Sequence, residues 1–379
     1  MTSRAAGGTD GFARDVVRIL GDGAPFEVDP LGIRCYRERA SASQLRQLEE
    51  LLLACGPVRI LDFRIEARDL AENIVSAESR DPAAYEGVPK GGARVFRIDH
   101  HFDLEALEGE STTPLVLRWV RAQRERGRTD LVGEFAAARY LADHADPDIF
   151  FANHVAREAA RDGVVDSPLA DWLAAAAVRN DYIRLPRGEE EPHASRLYYA
   201  GIGLEEAILR GDLRFADALR DVAPAFGAWL AGSADAGLAE RLDRLEGASR
   251  EREAEVLRDI ESWRREGRLT FHEGGRIAFL DAPRKIDNAD LFLYFALRPD
   301  PPEVQVLSYR RANRPWLPEG EIRTYKIRAR GGVNLNPVFE RLRARWPEAG
   351  FGGRSAAGGS RTPVAGISRD ALIGAIAGV

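Results

Sequence analysis

Apolar and polar positions along the chain follow two different periods. In ASQLRQLEELLLAC (42–55) leucines recur at helical spacing, and Gly56-Pro57 closes the predicted amphipathic helix. VRILDF (58–63) and ARVFRI (93–98) read as buried strands, separated by a mixed stretch that ends in the loop signal Pro89-Lys90-Gly91-Gly92. A helix is predicted over 112–126, with Pro114 in its first turn where a missing N–H is tolerated. Residues 134–163 read as an apolar element, an acidic turn at 143–148 and a helix. An Ala-rich helix over 169–178 leads to Asn180-Asp181, and helical patterns continue to around 265. The texture then changes. GRIAFLDA (275–282), LFLYFAL (291–297), EVQVLSYRR (303–311) and IRTYKIRAR (322–330) read as strands or apolar elements with tight links. NLNPVFERLRARW (334–346) is a predicted helix, and GFGGRSAAGGS (350–360) is Gly-rich. No internal repeat is visible.

Strands alternating with helices in the first part predict an α/β domain with a parallel sheet, followed by a smaller α+β domain. The expected divisions are a disordered tip at 1–10, a first domain at 11–245, a helical linker at 246–274, a second domain at 275–362 and a tail at 363–379. A length of 379 residues suits two domains, and 45% hydrophobic with 30% charged residues is a normal globular balance. The net charge of -6 argues against a protein that coats long DNA, although a local basic groove is compatible with it. Two cysteines, Cys35 and Cys55, fit neither a metal-ligand spacing nor a disulfide framework, so a reducing, cytoplasmic setting is expected. Met1 to Arg14 lacks the pattern of a signal peptide, and no apolar run reaches 18 residues, so no membrane partner is expected.

Acidic and His-rich clusters sit at the ends of apolar elements: Asp62, Asp99-His100-His101, and His144-x-Asp146-x-Asp148, with Asp181 after the Ala-rich helix. In open α/β sheets ligands gather beyond the carboxyl ends of the strands, so residues from separate strands can converge there. Carboxylates mixed with imidazoles suit Mn²⁺, Fe²⁺ or Zn²⁺. Plainer readings stand beside this one. Asp62 reads equally as a turn or cap residue, and HADPD as an Asx-rich turn with Asp148 as the N-cap of the next helix. Three consecutive ionisable residues directly after a buried strand are costly without a partner, which favours ligands at 99–101. His154, His193 and His272 have no acidic company at useful spacing and read as structural.

IDHHF (98–102) resembles the signature of the DHH phosphoesterase superfamily, which includes RecJ exonucleases, nanoRNases, cyclic-dinucleotide phosphodiesterases and family II pyrophosphatases. STTPLVLRWV (111–120) is similar to the helix after that signature, VRILDF to the second motif, HADPD (144–148) to the first and AAAAVRNDYIRLP (174–186) to the fourth. YKIRARGGVNLNPVFERLRARW followed by GFGGRSAAGG is similar to the smaller DHHA1 accessory domain. The resemblance spans 58–360 and implies a DHH-type domain with a DHHA1-like domain after it. It also implies a site of two ions, Mn²⁺ foremost, with Mg²⁺, Fe²⁺ or Co²⁺ as alternatives. Asp62, Asp99, His100, His144, Asp146, Asp148 and Asp181 would be ligands, with Asp99, His100 and His101 at the catalytic centre. His101, Arg328, Gly352, Gly353 and Arg354 would bind substrate.

The pattern departs from the family twice. The first motif normally precedes the signature and here follows it, so either the sheet is rearranged or HADPD is a lookalike and the site is reduced. The tail loop usually ends Gly-Gly-His and here reads Gly352-Gly353-Arg354; arginine still grips phosphate bidentately. The glycines there allow close backbone approach to an anion or, equally, a flexible tail. Basic residues at 308–316 and 323–330 interleave with Tyr309, Trp316 and Tyr325, which suits short single-stranded nucleic acid or, equally, a solvated strand face. The expected activity is hydrolysis of a phosphoester in a short oligonucleotide or small nucleotide. The alternatives are a degenerate family member that binds nucleotide or a protein partner without turnover, and a specialised small-molecule phosphatase. A homodimer is compatible with the sequence.

Overall fold

The computed structural model describes residues 6–21, 26–29, 31–35, 41–61, 84–100, 111–142, 144–161, 165–182, 192–310, 322–330, 332–353, 356–360, 362 and 364–378. Two compact units result, Met1–Ser249 and Arg250–Val379. The first begins α1 (Ala6–Leu20), β1 (Phe26–Asp29), β2 (Gly32–Cys35), α2 (Ala42–Leu53), β3 (Val58–Leu61), β4 (Val88–Lys90) and β5 (Ala93–Ile98). It continues α3 (Thr112–Glu125), α4 (Thr129–Ala137), β6 (Arg139–Ala142), α5 (Pro147–Glu158), α6 (Pro168–Tyr182) and α7 (Pro192–Arg210). The short α8 (Phe215–Asp217) and α9 (Phe226–Leu230) follow, and α10 (Ala236–Arg265) contains the boundary.

The first sheet has the order β1-β2-β6-β3-β5-β4. Its middle four strands are parallel, as expected, and both edge strands are antiparallel to their neighbours. Side chains alternate across the sheet as the two-residue period requires. Val58, Ile60 and Val95 join α1 and α2 residues such as Val16, Leu48 and Leu52 in one core. Leu61, Phe96 and Ile98 face the larger core built from α3, α5, α6 and α7. The unit is thus a sheet between two helical layers. At Gly32, an added Cβ would lie 2.0 Å from the Tyr140 carbonyl oxygen, so only glycine admits β6 beside β2.

Several charged groups inside this unit are paired. Arg97 on β5 meets Glu49 of α2, and Lys90 Nζ reaches the same carboxylate at 2.7 Å. Removing one partner of such a buried pair costs about 3–5 kcal/mol. Buried Arg59 on β3 donates to Asn153 Oδ1 at 3.1 Å on α5 and to the carbonyls of Phe135 and Ala136 at the end of α4. Burial, with Arg157 adding repulsion, pushes its guanidinium down to about 9, still charged at neutral pH. That charge sits against helix C-terminal carbonyls, where a cation is favoured.

In the second unit β7 (Leu269–His272), β8 (Ile277–Ala282), α11 (Asn288–Ala296), β9 (Val304–Arg310) and β10 (Arg323–Ala329) come first. α12 (Asn336–Arg345), β11 (Gly352–Gly353), β12 (Ala357–Gly359) and α13 (Arg369–Ile376) follow. The sheet order is β11-β12-β10-β9-β8-β7, with β8 and β9 parallel. Phe339, Leu342, Leu372 and Ile376 cover one face, and Val256, Ile260, Leu291 and Phe295 the other. Gly352 and Gly353 pair with Gly359 and Gly358, so the Gly-rich stretch holds a strand ladder. A Cβ on Gly353 would lie 2.3 Å from the Ala357 carbonyl oxygen.

Four expectations about element type or extent are corrected. Ala6–Asp10 belong to α1 rather than to a disordered tip, because Val16 and Leu20 anchor the helix in the core and it propagates back through Gly7-Gly8. LFLYFAL lies almost wholly in a helix, because Asp287 and Asp290 form a capping box before it. Residues 269–272 of the expected linker form β7. The expected tail contains α13, whose Leu372 and Ile376 are buried. No helix among the described residues is long and apolar enough to cross a membrane.

His154 is buried on α5 with its ring edge-on to Phe226, 6.4 Å between centroids. Burial first, then the charges of Arg157 and Arg161, push its imidazole down to about 4. The unfolded chain takes up a proton near 6.5 and the folded one only near 4, so this stabilisation is full above 6.5 and lost as pH falls through that window. The loss approaches about 3 kcal/mol. Urea denaturation at pH 7 and pH 4.5 should therefore show a stability gap between His154→Leu and the wild-type chain that shifts in favour of the variant in acid. A gap independent of pH would contradict this account.

Candidate metal centre

Parallel pairing sets the site. β5 and β6 both lie beside β3 in parallel, with Ile60 opposite Arg97 and Leu141 and Leu61 opposite Ile98, so their carboxyl ends share one sheet edge. Asp99-His100 leaves β5 at that edge, and His144-Ala145-Asp146 leaves β6 there. Asp62 and His101, expected at the same edge, and Arg354 lie outside the described residues.

The turn after β6 enters α5 through a well-formed start. Asp146 is the N-cap, its Oδ1 accepting the Ile149 N–H at 2.9 Å, and Pro147 occupies the first helical position. His144 Nε2 lies 2.9 Å from the other oxygen, Asp146 Oδ2. Asp146, rather than Asp148, is therefore the capping residue. Since Pro147 already begins the helix, Asp148 lies in its first turn and is turned toward α3.

Asp148 is fully buried and faces the start of α3. Its Oδ2 accepts the Thr112 N–H at 2.6 Å, and its Oδ1 accepts the Thr113 N–H at 2.7 Å and the Thr113 hydroxyl at 2.6 Å. The N-cap position of α3, Ser111, makes no side-chain cap bond, so Asp148 supplies the cap from another helix. The positive ends of α3 and α5 both favour this carboxylate as an anion. α7 keeps α5 in place through Gly201, where a Cβ would meet Pro147 and Phe151 at 2.9 Å.

Ligand atoms of His100, Asp148 and Asp181 all lie within 4.8 Å of one another. His100 Nδ1 is 3.6 Å from Asp181 Oδ2, with the imidazole wholly buried and the carboxylate nearly so. Asp181 sits in the last turn of α6, where the helix dipole opposes a negative charge. Two buried carboxylates this close repel each other unless a cation or a proton separates them. One imidazole and two carboxylates form a donor set suited to a transition-metal dication, so the chemistry of these residues fits the ion that the resemblance implies. Asp99 is buried beside them, and His144 and Asp146 stand at the adjacent turn, all three outside the 4.8 Å group.

Thr112 and Thr113 were missed as site residues in the sequence. The Ser-Thr-Thr-Pro start of a helix was legible, but that its amides cap a carboxylate on another helix was not. In the second unit Arg328 and Arg330 stack on Phe292, with guanidinium carbons 5.3 and 3.7 Å from the ring centroid. His193 rests on Trp172 at 4.2 Å, and His272 Nε2 lies 2.9 Å from the Thr270 hydroxyl oxygen.

Replacing Asp148 by alanine strands two amides and a hydroxyl in a buried site. In metal-free protein with chelator, Asp148→Ala should lose about 2–4 kcal/mol of unfolding free energy in urea. A loss below about 0.5 kcal/mol, the range of ordinary surface changes, would show that the carboxylate does not hold α3.

No family model and no curated protein matches this chain. Among solved structures it is similar to the pGpG-specific phosphodiesterase PggH of Vibrio cholerae, at 14% identity and a TM-score of 0.37, over 62% of this chain and 73% of that one. It is also similar to the DHH domain of a member of the s1p family of ribosomal proteins, at 14% identity and a TM-score of 0.29, over 99% of this chain and 97% of that one. At such TM-scores neither likeness carries an argument about this chain. The chain resembles the DHH phosphoesterases, and the resemblance rests on its own strand-end signature together with the clustering of His100, Asp148 and Asp181.

Proposed function

We propose that this chain is a metal-dependent phosphoesterase acting on a phosphoester of a short oligonucleotide or small nucleotide. The observation that supports this reading is the convergence of His100, Asp148 and Asp181 to within 4.8 Å at the carboxyl edge of the sheet. These three residues would hold a divalent cation, Mn²⁺ by the resemblance. Asp62, Asp99, His144 and Asp146 are the proposed further ligands of a second ion. A bound dication supplies activation of a water and neutralisation of phosphoryl charge.

The chain's own residues do the rest. Asp148 is pinned by α3 and resists reorientation, so it presents its carboxylate without an ordering cost when a ligand arrives. The buried His100 ring and Asp181 exclude bulk water from one side of the group, which strengthens every charge interaction there. His101 is the proposed contact to the phosphoryl oxygens. Arg328, Gly352, Gly353 and Arg354 are the proposed substrate-binding residues, with Arg354 taking the place of the family's histidine.

The displaced motif favours a binder without turnover only if its residues fail to reach the signature. Asp148 lies within the group formed with His100, and that geometry supports the hydrolase reading over the binder. The test is hydrolysis of a 5′-phosphorylated dinucleotide with Mn²⁺. Mononucleotide release should require the metal, stop with chelator, and fall in His100→Ala and Asp181→Asn by more than the roughly 10–100-fold lost when an outer partner of a metal ligand is removed. Unchanged turnover in both variants would end the proposal. Stoichiometric metal with no turnover on a panel of nucleotides and phosphomonoesters would favour the binder.

A further inference from the structure

Three consecutive hydroxyls open α3, and they are not equivalent. Ser111, Thr112 and Thr113 are all fully buried. Among the described residues, the hydroxyls of Ser111 and Thr112 make no hydrogen bond. That of Thr113 lies 2.6 Å from Asp148 Oδ1 and 3.1 Å from the Asp148 carbonyl oxygen. A hydroxyl carries one proton, and the shorter contact has the length of a bond to a charged acceptor, so the proton goes to the carboxylate. Thr113 thus delivers two of the three donors that α3 aims at the Asp148 carboxylate, its own N–H and its own O–H, both to Oδ1.

We infer that Thr113 is a positioning residue for the metal centre, setting the plane of the Asp148 carboxylate. This deepens the proposed function and rests on its reading of Asp148 as a ligand. Two backbone amides aimed at the two oxygens hold the carboxylate at the helix end, yet allow it to rock about the line between them. The hydroxyl adds a third direction on one oxygen, and three donors on a planar group leave it one orientation. Threonine suits the place. Its branched Cβ restricts the first side-chain torsion, so the hydroxyl does not have to be ordered when a ligand binds. Outer partners of this type orient metal ligands and are worth roughly 10–100-fold in metal affinity.

The test is calorimetric titration of Mn²⁺ into metal-free protein, with folding of each variant checked by circular dichroism. Thr113→Val keeps the shape and the N–H and removes only the hydroxyl; it should weaken Mn²⁺ binding by about 10-fold or more. Thr113→Ser restores the hydroxyl and should recover most of the affinity. Ser111→Ala removes an equally buried hydroxyl from the same turn that makes no hydrogen bond among the described residues, and should bind as the wild type does. Asp148→Asn reports on the underlying reading. If Asp148→Asn abolishes binding while Thr113→Val binds like wild type, the positioning role is overturned and the metal reading stands. If Ser111→Ala weakens binding as much as Thr113→Val, the effect is a general loosening of the turn and the inference fails. If the wild-type chain binds no Mn²⁺, Asp148 is not a ligand and both readings fall together.

Discussion

The constraint on which the site depends is the shared direction of three neighbouring strands. With β6, β3 and β5 parallel, whatever follows each strand emerges at the same edge, and the register fixes how far along that edge each emerges. Gly32 extends the same set to β2 by allowing its backbone against Tyr140. Everything chemical in the first unit is built on this edge: His100 from β5, the capped turn from β6, and Asp181 carried there by α6. Without the parallel arrangement, alternate strand ends would face away and no cluster would form.

Charge is organised around this edge by helix ends. α3 and α5 direct their amino ends at Asp148, which makes a buried anion tolerable, whereas Asp181 sits at a carboxyl end, where an anion is disfavoured. The two carboxylates are therefore unequal. One is already satisfied by backbone donors and by Thr113, and the other gains most from a cation. Elsewhere in the unit a helix end also serves a buried charge, with Arg59 on the last carbonyls of α4, while Arg97 is matched by a charged side chain, Glu49.

Much of this was legible in the sequence, for identifiable reasons. Strands β3 and β5, helices α2 and α3 and the C-terminal strands follow strong periods or clear caps. The signature residues could be named because ionisable groups directly after a buried strand are rarely idle. Element type stayed open at 291–297, where a short apolar run reads as strand or helix until the capping aspartates before it are weighed. The N-terminal helix was hidden by Gly7-Gly8, whose poor propensity is overridden by packing of Val16 and Leu20. The displaced motif was the hardest case. Linear order places HADPD after the signature, but sheet order inserts β6 on the other side of β3, and spatial neighbours cannot be read from order along the chain. Nor could the partner of Asp148 be foreseen, because the bond from α3 crosses 35 positions of sequence.

That inserted strand also has a meaning in time. β3 and β5 are close in sequence and can pair as soon as residue 98 is made, while β2 must wait for β6, more than a hundred residues later. Glu27 on β1 waits longer still, for its acceptor oxygens are met by the amides of Phe215 and Ala216. During synthesis from the ribosome, the earliest strands are therefore among the last to be completed. Such distant pairings are the slow ones. The N-terminal hairpin acts as the closing piece of the sheet, and the chain must keep its apolar face from straying until two hundred residues have emerged.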